Sequence, residues 1–297
     1  MQILAGLYSE ESQQYGASIS LVQFEALYVV SICAPLDQVT LARRIGADRA
    51  TTTTTVRTLE RRKLITRTVP SDKRRRTLKL TAGGTRELAS ARKAAMRSVS
   101  KLLRPLEQRD RDRLIHVLYE SALQRRSPAP RWTALEDESD VLPRSQRRSL
   151  EWLYRMPFFL MDRCTQVGTA YMTQTLAPYG LSAGQAGCLI FIATLGPLDQ
   201  KGLCSAIGID RSSVRVILQA LTRRGLISQK ADTMDRRRRV VECTDAGIKL
   251  LDEIQPMFEQ MPQQIFEGMA ADLPKRISFF LSRLVAAHQN LRPDQES

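Results

Sequence analysis

Two stretches decide the fold of this chain: DRATTTTTVRTLERRKLI at residues 48–65 and DRSSVRVILQALTRRGLI at residues 210–227. They belong to a longer internal repeat, in which residues 20–65 and 182–227 align without a gap and 17 of 46 positions are identical. One residue is then inserted in the second copy, and the match resumes in an Asp/Arg-rich segment. A repeat of this length exceeds a solenoid unit and predicts a duplicated domain.

Each stretch follows a shorter helical segment, and the pair has the pattern of a helix-turn-helix. In the second copy Asp199 begins a helix to Ile207, Gly208 makes the turn, and Asp210 caps the next helix to Arg224. So short a turn, followed by a helix with polar and basic residues, predicts a DNA-reading unit. The first copy has the same plan, with helices near residues 20–33, 37–45 and 48–62.

A β-hairpin is predicted after each helix pair. Leu226–Lys230 and Arg239–Cys243 are short strand-like runs around an Asp/Arg-rich tip, and residues 64–80 match them in the first copy. The prolines Pro157, Pro256 and Pro262 are expected to bend the helices that contain them. The remaining helices are predicted near residues 81–103, 106–126, 146–177, 182–194, 244–265 and 270–289.

These elements predict a mainly α-helical chain with small β-hairpin wings (α+β). We expect two tandem winged helix-turn-helix domains with helical elements of the dimerisation type, at residues 1–126 and 145–297. A proline-rich and acidic linker, residues 127–144, lies between them. Each winged helix-turn-helix is called a reading head below. Fully extended, the linker spans about 60 Å, enough to place the two reading heads one DNA turn of about 34 Å apart.

The net charge of +14 comes mainly from arginine, with 36 Arg against 9 Lys. A GC-rich genome is an alternative cause of the excess, but it does not explain the clusters Lys73–Arg76 and Arg236–Arg239. Clustered charge is what a DNA-backbone surface needs. No stretch approaches the ~18 apolar residues of a membrane span, and no signal peptide is evident. We therefore expect a cytoplasmic protein without a membrane partner.

The residue types of enzymes and metal sites are poorly represented. The five cysteines are widely spaced without a Cys-x-x-Cys pattern, and neither His116 nor His288 sits beside a plausible nucleophile or metal partner. No Gly-rich phosphate loop and no catalytic constellation is present. The prediction is therefore a protein that is not an enzyme, with buried structural thiols and no cofactor.

The wing and the helix after it resemble the multiple-antibiotic-resistance regulator (MarR) family of bacterial transcription factors. The shared signature is Asp-x-Arg at the wing tip and Leu-Thr-x-x-Gly at the start of the next helix. It reads Asp72-Lys73-Arg74 with Leu80-Thr81-Ala82-Gly83-Gly84, and then Asp235-Arg236-Arg237 with Cys243-Thr244-Asp245-Ala246-Gly247. The segments Leu59–Ile65 and Leu221–Ile227 follow the family pattern Leu-Glu-x-x-Gly-Leu-Ile.

The resemblance implies a winged helix-turn-helix dimer held by its first and last two helices. It also implies double-stranded DNA as partner and repression that a small aromatic or phenolic ligand, or an oxidant, releases. Two heads on one chain would then act as a single-chain pseudo-dimer. The helix before the first head has at most about fifteen residues, Gln2–Tyr15, against about thirty in the second repeat. An ordinary symmetric arrangement is therefore not expected.

Apolar spacing separates the two faces of each recognition helix. Val56 and Leu59 face inward in the first copy, and Val214, Leu218 and Leu221 do so in the second. The DNA-facing residues are therefore predicted to be Arg49, Thr51, Thr53, Thr54, Arg57 and Glu60, and in the second copy Arg211, Ser212, Ser213, Arg215, Gln219 and Thr222.

These two faces differ in chemistry. Arg215 and Gln219 suit bidentate contact with purine edges, whereas the run Thr51–Thr55 suits phosphates and thymine methyl groups. That the threonine run is only a tolerated surface remains an alternative. The difference predicts two non-identical half-sites, in an imperfect inverted repeat about 10 bp centre to centre.

The wing arginines are the second set of candidate DNA contacts. By the resemblance, Arg74 and Arg237 enter the minor groove, where negative potential is concentrated. Because basic residues recur at the same place in both hairpins, we interpret them as functional and not as a solvated charge run. The remaining wing-tip residues are Asp72, Lys73, Arg75, Asp235, Arg236 and Arg238, of which the basic ones are expected to contact phosphates.

A ligand pocket is only weakly encoded. The candidate lining residues are apolar side chains at helical spacing, for which plain core is the alternative: Phe24, Tyr28, Phe158, Met161, Met172, Cys188 and Phe191. The peroxide-sensing branch of the family carries its reactive cysteine at a position that falls near Pro157-Phe158, and the nearest thiol, Cys164, lies two turns later. Thiol sensing is therefore not expected.

Two functions of different classes stay open. The first is a sequence-specific DNA-binding regulator, a repressor released by a small aromatic ligand. The second is an interaction protein of the same fold that binds another regulator, which the two basic wings disfavour. The sequence leaves open the effector, the target genes, the direction of regulation, and whether the chain self-associates to present four heads.

Overall fold

The computed structural model describes residues 2–68, 77–122, 142–207, 210–231, 239–267 and 269–288. Over these ranges the chain is mainly helical with two small antiparallel sheets, which confirms the predicted fold class. The first repeat comprises α1 (Gln2–Tyr15), α2 (Leu21–Cys33), α3 (Gln38–Ile45), α4 (Arg49–Arg61), β1 (Ile65–Thr68), β2 (Thr77–Leu80), α5 (Ala82–Leu103) and α6 (Gln108–Ala122).

The second repeat has the same order of elements with a longer helical start. It comprises α7 (Arg144–Tyr154), α8 (Pro157–Leu176), α9 (Ala183–Leu195), β3 (Leu198–Asp199), α10 (Gln200–Ile207), α11 (Arg211–Arg223), β4 (Ile227–Ala231), β5 (Arg239–Cys243), α12 (Asp245–Ile265) and α13 (Leu273–His288). Most of the predicted linker and residues 123–126 lie outside the described ranges. The predicted linker and the domain boundaries on either side of it therefore stay a prediction.

Short polar side chains start the helices at matching positions of both repeats. Ser20 and Ser182 each form a capping box, in which the serine hydroxyl accepts from the Gln23 or Gln185 amide and the glutamine side chain accepts from the serine amide. Gly46 ends α3 in the left-handed region at φ 65°, a conformation that glycine adopts without steric cost. Local sequence therefore sets these helix limits.

The predicted helix over residues 146–177 is two helices. Helix α7 ends at Tyr154, and α8 begins with Pro157 as its first residue. A proline has no amide hydrogen and clashes with the preceding turn, but it fits the first position of a new helix. The chain therefore breaks and restarts at this point. Helix α12, in contrast, is continuous through Pro256 and Pro262.

The wing sheets differ in the length of a third strand, which is a single bridge between Leu36 and Leu78 in the first repeat and has two residues in the second. In the first repeat β1 pairs with β2 from Ile65 opposite Leu80 to Thr68 opposite Thr77. In the second repeat the order is β3-β5-β4, because Leu198 and Asp199 add a short strand to the outer edge of β5. The sequence did not predict β3, since two residues carry no periodicity.

The described chain divides into two compact units, which do not coincide with the sequence repeats. The first unit is Met1–Val167 together with Gly268–Ser297, and the second is Gly168–Glu267. The first unit therefore combines the whole first repeat with the beginning and the end of the second repeat. Its core includes Phe24, Leu27, Leu59, Ala94, Leu114, Leu153, Phe158, Phe280 and Leu284.

Three contacts join the repeats inside the first unit. On α13, Arg283 Nη1 donates to Asp110 Oδ2 of α6 at 2.8 Å, and the buried His288 Nε2 bonds the Leu102 carbonyl of α5 at 3.0 Å. The Tyr28 hydroxyl of α2 donates to the Ser149 carbonyl of α7 at 3.1 Å. Helices at both ends of the second repeat thus pack against the first.

The second unit has its own apolar core around a helix-turn-helix and wing. The fully buried members of this core come from the end of α8 and from the four helices α9 to α12: Leu176, Ala186, Cys188, Leu189, Leu203, Val214, Leu221 and Ile254. Within the described ranges no single helix is long and apolar enough to cross a membrane. The pair Pro157–Tyr179 and Ala183–Leu195 passes that test together, by length and composition only, with a bend of 78°.

Candidate nucleic-acid interface

Helix α11 begins at Arg211 because the Asp210 carboxylate caps its first turn. This carboxylate accepts hydrogen bonds from the Ser213 amide at 2.9 Å, from the Ser213 hydroxyl at 2.7 Å and from the Ser212 hydroxyl. The donors, Ser212 foremost, hold the pKa of Asp210 well below its ordinary value. Asp210 is therefore charged at neutral pH and satisfies amide groups that the helix itself cannot pair.

Helix α4 is capped in the same way by Asp48. The Thr51 amide donates to its carboxylate at 2.7 Å and the Thr51 hydroxyl at 2.8 Å. The Thr51 amide is the main cause of a lowered pKa of Asp48. Both recognition helices thus start from the same Asp-Arg pair, so the start of each reading face is set locally.

The structure places most predicted DNA-facing residues on the exposed side of their helix. Helix α11 buries Val214, Leu218 and Leu221, and helix α4 buries Val56 and Leu59 together with two threonines, Thr52 and Thr55. Thr53 and Glu60 are half-buried. The exposed candidates are Arg49, Thr51, Thr54, Arg57, Arg211, Ser212, Ser213, Arg215, Gln219 and Thr222. Their contact with DNA stays a prediction.

Several hydroxyl groups on these faces already bond within the protein. The Thr53 hydroxyl donates to the Arg49 carbonyl at 2.6 Å and accepts from Gln38 Nε2 at 2.9 Å. A hydroxyl has one proton to donate, and those of Thr51 and Ser213 go to the capping carboxylates. Helix capping therefore competes with the predicted phosphate contacts, and Thr53 offers mainly its methyl group.

A surface cleft of about 610 Å³ opens between α11 and the wing strands of the second unit. It is lined by Gln219, Thr222 and Arg223 of the helix and by Gln229 and Arg239 of the strands. Across it, Gln229 Nε2 donates to the Thr222 hydroxyl at 3.3 Å. A polar and basic concave lining suits a polyanionic ligand.

The corresponding pair in the first head carries charge. Arg67 of β1 donates through Nε to Glu60 Oε1 of α4 at 2.7 Å. This ion pair neutralises the acidic residue of the predicted reading face, and it occupies a wing arginine that would otherwise be available to a phosphate. The two heads therefore present different electrostatics at equivalent positions.

Two pairs of arginines and one valine were missed by sequence reasoning. Arg61 and Arg223 are exposed at the ends of α4 and α11. Arg62 donates to the Ser18 carbonyl at 2.7 Å, and Arg224 to the Gly180 carbonyl at 2.7 Å, so each anchors the recognition helix to the segment before its head. The sequence feature that could have identified these arginines is that both are identical in the two copies.

The valine, Val216, gave no signal in the sequence beyond its helical position. It lies on α11 with 65% of its surface exposed. The DNA-facing residues were predicted from polar side chains alone, so this outward-facing apolar residue was not among them.

The Leu-Thr-x-x-Gly segment ties each wing to its recognition helix. The Thr81 hydroxyl donates to the Lys63 carbonyl at 2.7 Å and accepts from the Gly84 amide at 2.9 Å, and Thr244 repeats both bonds with Gly225 and Gly247. A Cβ atom at Gly84 would lie 2.0 Å from the Leu64 carbonyl oxygen. Only glycine permits this close approach of helix to chain.

The predicted wing-tip residues lie outside the described residues. These are Asp72, Lys73, Arg74, Arg75, Asp235, Arg236, Arg237 and Arg238. The described strands β1, β2, β4 and β5 lead to and from both tips. The minor-groove role of Arg74 and Arg237 stays a prediction.

The predicted pocket residues fall into the two units. In the first unit Phe24 packs edge-on against Phe158 at 5.7 Å between ring centroids and at 5.9 Å from Tyr28, and Met161 is buried in the same core. In the second unit Cys188 is buried, Met172 packs against the core, and Phe191 is 37% exposed. All of these residues except the exposed Phe191 belong to the apolar core of their own unit, and the ligand pocket stays a prediction.

The thiols and imidazoles have structural surroundings. Burial raises the pKa of Cys164 to about 12 and that of Cys188 to about 11, so both thiols stay protonated at neutral pH. His116 is exposed beside Glu120, with 3.2 Å between Nε2 and Oε1. Among the described residues no group of three or more histidine, cysteine or acidic residues could hold a metal ion.

Comparison with known proteins identifies both heads. Models of the MarR family match residues 19–77 and residues 179–238. Among curated proteins, the chain is 28% identical over 131 residues to the HTH-type transcriptional repressor NicR of Pseudomonas putida, covering 44% of this chain and 83% of NicR. It is 25% identical over 112 residues to the uncharacterised HTH-type transcriptional regulator YwaE of Bacillus subtilis, covering 38% and 66%.

Solved structures give partial matches. Bordetella bronchiseptica BpsR, solved in work on the regulation of its DNA binding by 6-hydroxynicotinic acid, is 28% identical with a TM-score of 0.41, covering 43% of this chain and 91% of BpsR. A MarR mutant from E. coli complexed with operator DNA is 18% identical with a TM-score of 0.41, covering 42% and 91%. Both helix-turn-helix segments of the chain are thus matched by models of the MarR family of transcriptional regulators, so each of the two heads is similar to that family's winged helix-turn-helix domain.

Proposed function

We propose that this protein is a sequence-specific DNA-binding repressor that acts as a single-chain pseudo-dimer on an imperfect inverted repeat. Its two recognition helices would read two different half-sites, and a small aromatic ligand would release the DNA. The protein would need neither a cofactor nor catalysis for this role.

One observation carries the proposal. Two recognition helices start from the same carboxylate cap, bury the same side and expose polar and basic residues on the other. Besides the shared Arg49 and Arg211, the exposed residues include Thr54 and Arg57 in α4 but Ser212, Arg215 and Gln219 in α11. Arginine and glutamine read purine edges with paired hydrogen bonds, and methyl-bearing side chains favour thymine, so the two helices should prefer different sequences.

The pseudo-dimer is supported by contacts inside the first unit. MarR-family dimers are held by terminal helices, and here α13 of the second repeat packs on α6 and α5 of the first through Arg283–Asp110 and His288–Leu102. These contacts let one chain supply both sides of an interface that separate subunits otherwise form. We propose that DNA binding needs only one chain.

The wing tips would add contacts that are independent of base sequence. Arg74 and Arg237 are proposed to enter the minor groove, and Lys73, Arg75, Arg236 and Arg238 to contact phosphates. Replacing Arg237 by alanine should weaken binding to every sequence and lower the slope of log K against log salt by about one phosphate contact. Arg109→Ala, at an exposed arginine on α6, is the matched control of equal charge.

The ligand class is proposed from the family resemblance. The proposed place for such a ligand is the aromatic cluster of Phe24, Tyr28 and Phe158 in the first unit, whose buried rings pack against one another. An effector screen that measures DNA release tests this part separately from DNA binding. If no aromatic acid or phenol changes the affinity, the ligand-release part fails while the DNA-binding part stands.

The experiment that tests the proposal is selection of duplexes from a random pool with the purified chain at near-physiological salt. We expect one split site with two dissimilar half-sites. The double variant Arg215→Ala/Gln219→Ala should relax the selected sequence in one half-site, and Arg57→Ala should relax it in the other. Arg109→Ala should select the wild-type site.

Three results would contradict the proposal. A perfectly palindromic site would remove the claim of different heads. A complex containing two chains per split site would remove the single-chain pseudo-dimer. Salt-labile binding without sequence enrichment would favour the interaction-protein function.

A further inference from the structure

We infer that Val216 is a specificity-determining residue, which contacts the C5-methyl group of a thymine in the half-site read by α11. The inference rests on the proposed DNA-binding function and deepens it, because it names one base and the side chain that selects it.

The exposure of Val216 is the first observation. With 65% of its surface accessible, it is the most exposed large apolar side chain in the described part of the chain. Valine is also a weak helix former, since its branched side chain loses rotamer freedom on a helix. Neither burial nor helix propensity accounts for valine at this position.

The position of Val216 on the helix is the second observation. Helix α11 buries Val214, Leu218 and Leu221, and a rotation of about 100° per residue puts Val216 on the opposite side. It is the sixth residue of the helix, within the N-terminal half that contacts base edges in helix-turn-helix proteins. The side chain is therefore at the centre of the surface proposed to enter the major groove.

The neighbours of Val216 make it an apolar point in a polar row. Ser212, Gln219 and Arg223 lie four residues before and three and seven residues after it, and all three are exposed. Gln219 and Arg223 also line the cleft beside the wing. Contacts of these polar side chains with DNA would place a base against Val216. A surface valine without such neighbours would not be held against a base.

Thymine is the base that fits this point. In the major groove it alone presents a methyl group, while cytosine presents an amino donor at the same edge. An amino group held against Val216 would lose a water partner and gain none, which is unfavourable. The valine therefore favours thymine by apolar contact and disfavours cytosine by desolvation.

Helix geometry limits where this thymine lies. The rise between Val216 and Gln219 is about 4.5 Å, against about 3.4 Å per base pair. We therefore expect the thymine within about two base pairs of the purine read by Gln219. In the first head the equivalent residue is Thr54, which is exposed and offers one methyl group and a hydroxyl. That head should discriminate less strongly at its matching base pair.

The test removes one methyl group at a time from DNA and from protein. On the selected duplex, each thymine of the second half-site is replaced by uracil, which keeps base pairing and loses only the methyl group. We expect wild-type affinity to fall about fourfold at one thymine, the value for one buried methyl group. Val216→Ala should bind the thymine duplex correspondingly more weakly and show no further loss with uracil.

Two variants control the experiment. Val216→Thr retains one methyl group and should retain part of the uracil effect. Val285→Ala makes the same chemical change at an exposed valine of α13 and should leave the full uracil effect in place. Both changes at residue 216 are on an exposed helix surface, so the fold should be kept.

Each outcome decides between the parts of the argument. If a duplex is selected but uracil has no effect at any position, or has the same effect on Val216→Ala as on wild type, the inference is wrong while the proposed function stands. If no duplex is selected, the proposed function is wrong and the inference falls with it.

Discussion

In the first reading head the recognition helix buries two threonines beside Val56 and Leu59, whereas the second head buries Val214, Leu218 and Leu221. The buried Thr52 is tolerated because its hydroxyl donates to the Asp48 carbonyl four residues earlier, at 2.8 Å. The same helix can thus be packed with hydroxyl-bearing or purely apolar side chains. The inner face of the helix therefore accepts a threonine at position 52, where the buried hydroxyl has a partner.

The elements around the helix vary less between the heads. The arginine anchors Arg62 and Arg224, and the helix-starting threonines Thr81 and Thr244, make the same hydrogen bonds in both. Differences between the copies occur on the inner face of the recognition helix, as at Thr52 and Val214, and also on its exposed face, as at Arg57 and Gln219. The comparison teaches that the two heads share the residues that anchor each recognition helix, whereas both faces of that helix vary.

The largest expected effect is at the glycines that let the wing helix approach the chain. Gly84→Ala and Gly247→Ala place a Cβ atom 2.0 and 2.1 Å from the carbonyl oxygens of Leu64 and Leu226. Because backbone must move, we expect each to lower the free energy of unfolding by on the order of 3 kcal/mol. Denaturant unfolding with hydrogen exchange should place each loss in its own head.

Gly83→Ala is the matched control for this prediction. Its Cβ atom would meet the Thr81 hydroxyl at 3.5 Å, which is ordinary contact, and alanine is the better helix former. We expect unchanged or slightly increased stability. Equal losses for Gly83→Ala and Gly84→Ala would show that the close approach is not what requires glycine.

The second effect is at the arginine anchors. Arg224→Ala removes hydrogen bonds to the Gly180 and Tyr179 carbonyls at 2.7 and 2.8 Å. Arg62→Ala removes the bond to Ser18 and a 3.8 Å ion pair with Glu87, so it should cost more. We expect losses of about 1–2 kcal/mol, measured by urea unfolding.

The adjacent arginines control for the loss of charge. Arg61 and Arg223 are exposed, so their alanine variants should leave stability unchanged and affect only DNA binding. Amide exchange in α2 should rise for Arg62→Ala, and in α9 for Arg224→Ala. Faster exchange in both heads from one variant would contradict the idea of separate anchors.

The third effect is at the end of the recognition helices, where the heads differ by one residue. Lys63 has φ 56° and Gly225 has φ 68°, both in the left-handed region that disfavours side chains. Lys63→Gly should therefore raise the free energy of unfolding by about 0.5–1 kcal/mol. Gly225→Lys should lower it by a similar amount, as measured by thermal unfolding. A destabilising Lys63→Gly would mean that the lysine side chain contributes more than its backbone strain costs.

The smallest effect is the pH dependence of the helix caps. Hydrogen bonds lower the pKa of Asp48, and lower that of Asp210 further. A lowered folded-state pKa gives stability that is full above the unfolded value of about 3.9 and is lost as pH falls through the folded value. The first head should therefore lose its cap at a higher pH than the second.

Asparagine variants isolate this dependence. Asp48→Asn keeps a capping oxygen and should change stability at neutral pH by roughly a few tenths of a kcal/mol, while removing the acid-dependent loss in its head. Asp252→Asn, at an exposed aspartate of α12, is the control. Acid titrations of amide exchange in α4 and α11 measure both; identical profiles for Asp48→Asn and wild type would contradict the prediction.

Much of the local structure could be predicted from the sequence. The caps at Ser20, Asp48, Ser182 and Asp210 are short-range interactions, so helix starts were placed within about a residue. The strand β3 and the break before Pro157 were harder to predict from the sequence. The strand has only two residues, and the break depends on whether a helix bends or restarts at the proline. A long apolar period predicts a helix or strand well, whereas a strand pairing of two residues leaves no period in the sequence.

The candidate site was predictable by residue type and less so by position. Charged and hydroxyl side chains opposite an apolar stripe identify a reading face, but Val216 required knowledge of exposure. The hydroxyl of Thr53 is engaged by Gln38, and the charge of Glu60 by Arg67, through contacts with other elements. These partners lie on other elements of the fold, so the spacing of residues along one helix does not predict them.

The sequence by itself determined the duplication, the winged helix-turn-helix in each copy and the polar face of each recognition helix, because these follow from local caps and short-period patterns. The tertiary structure alone decided how the chain divides into compact units. Contacts such as Arg283–Asp110 and His288–Leu102 join residues far apart in the chain, and these long-range contacts place the last helix of the second repeat in the first unit. No periodicity predicts such a partner, since it depends on which apolar surfaces meet when the whole chain folds.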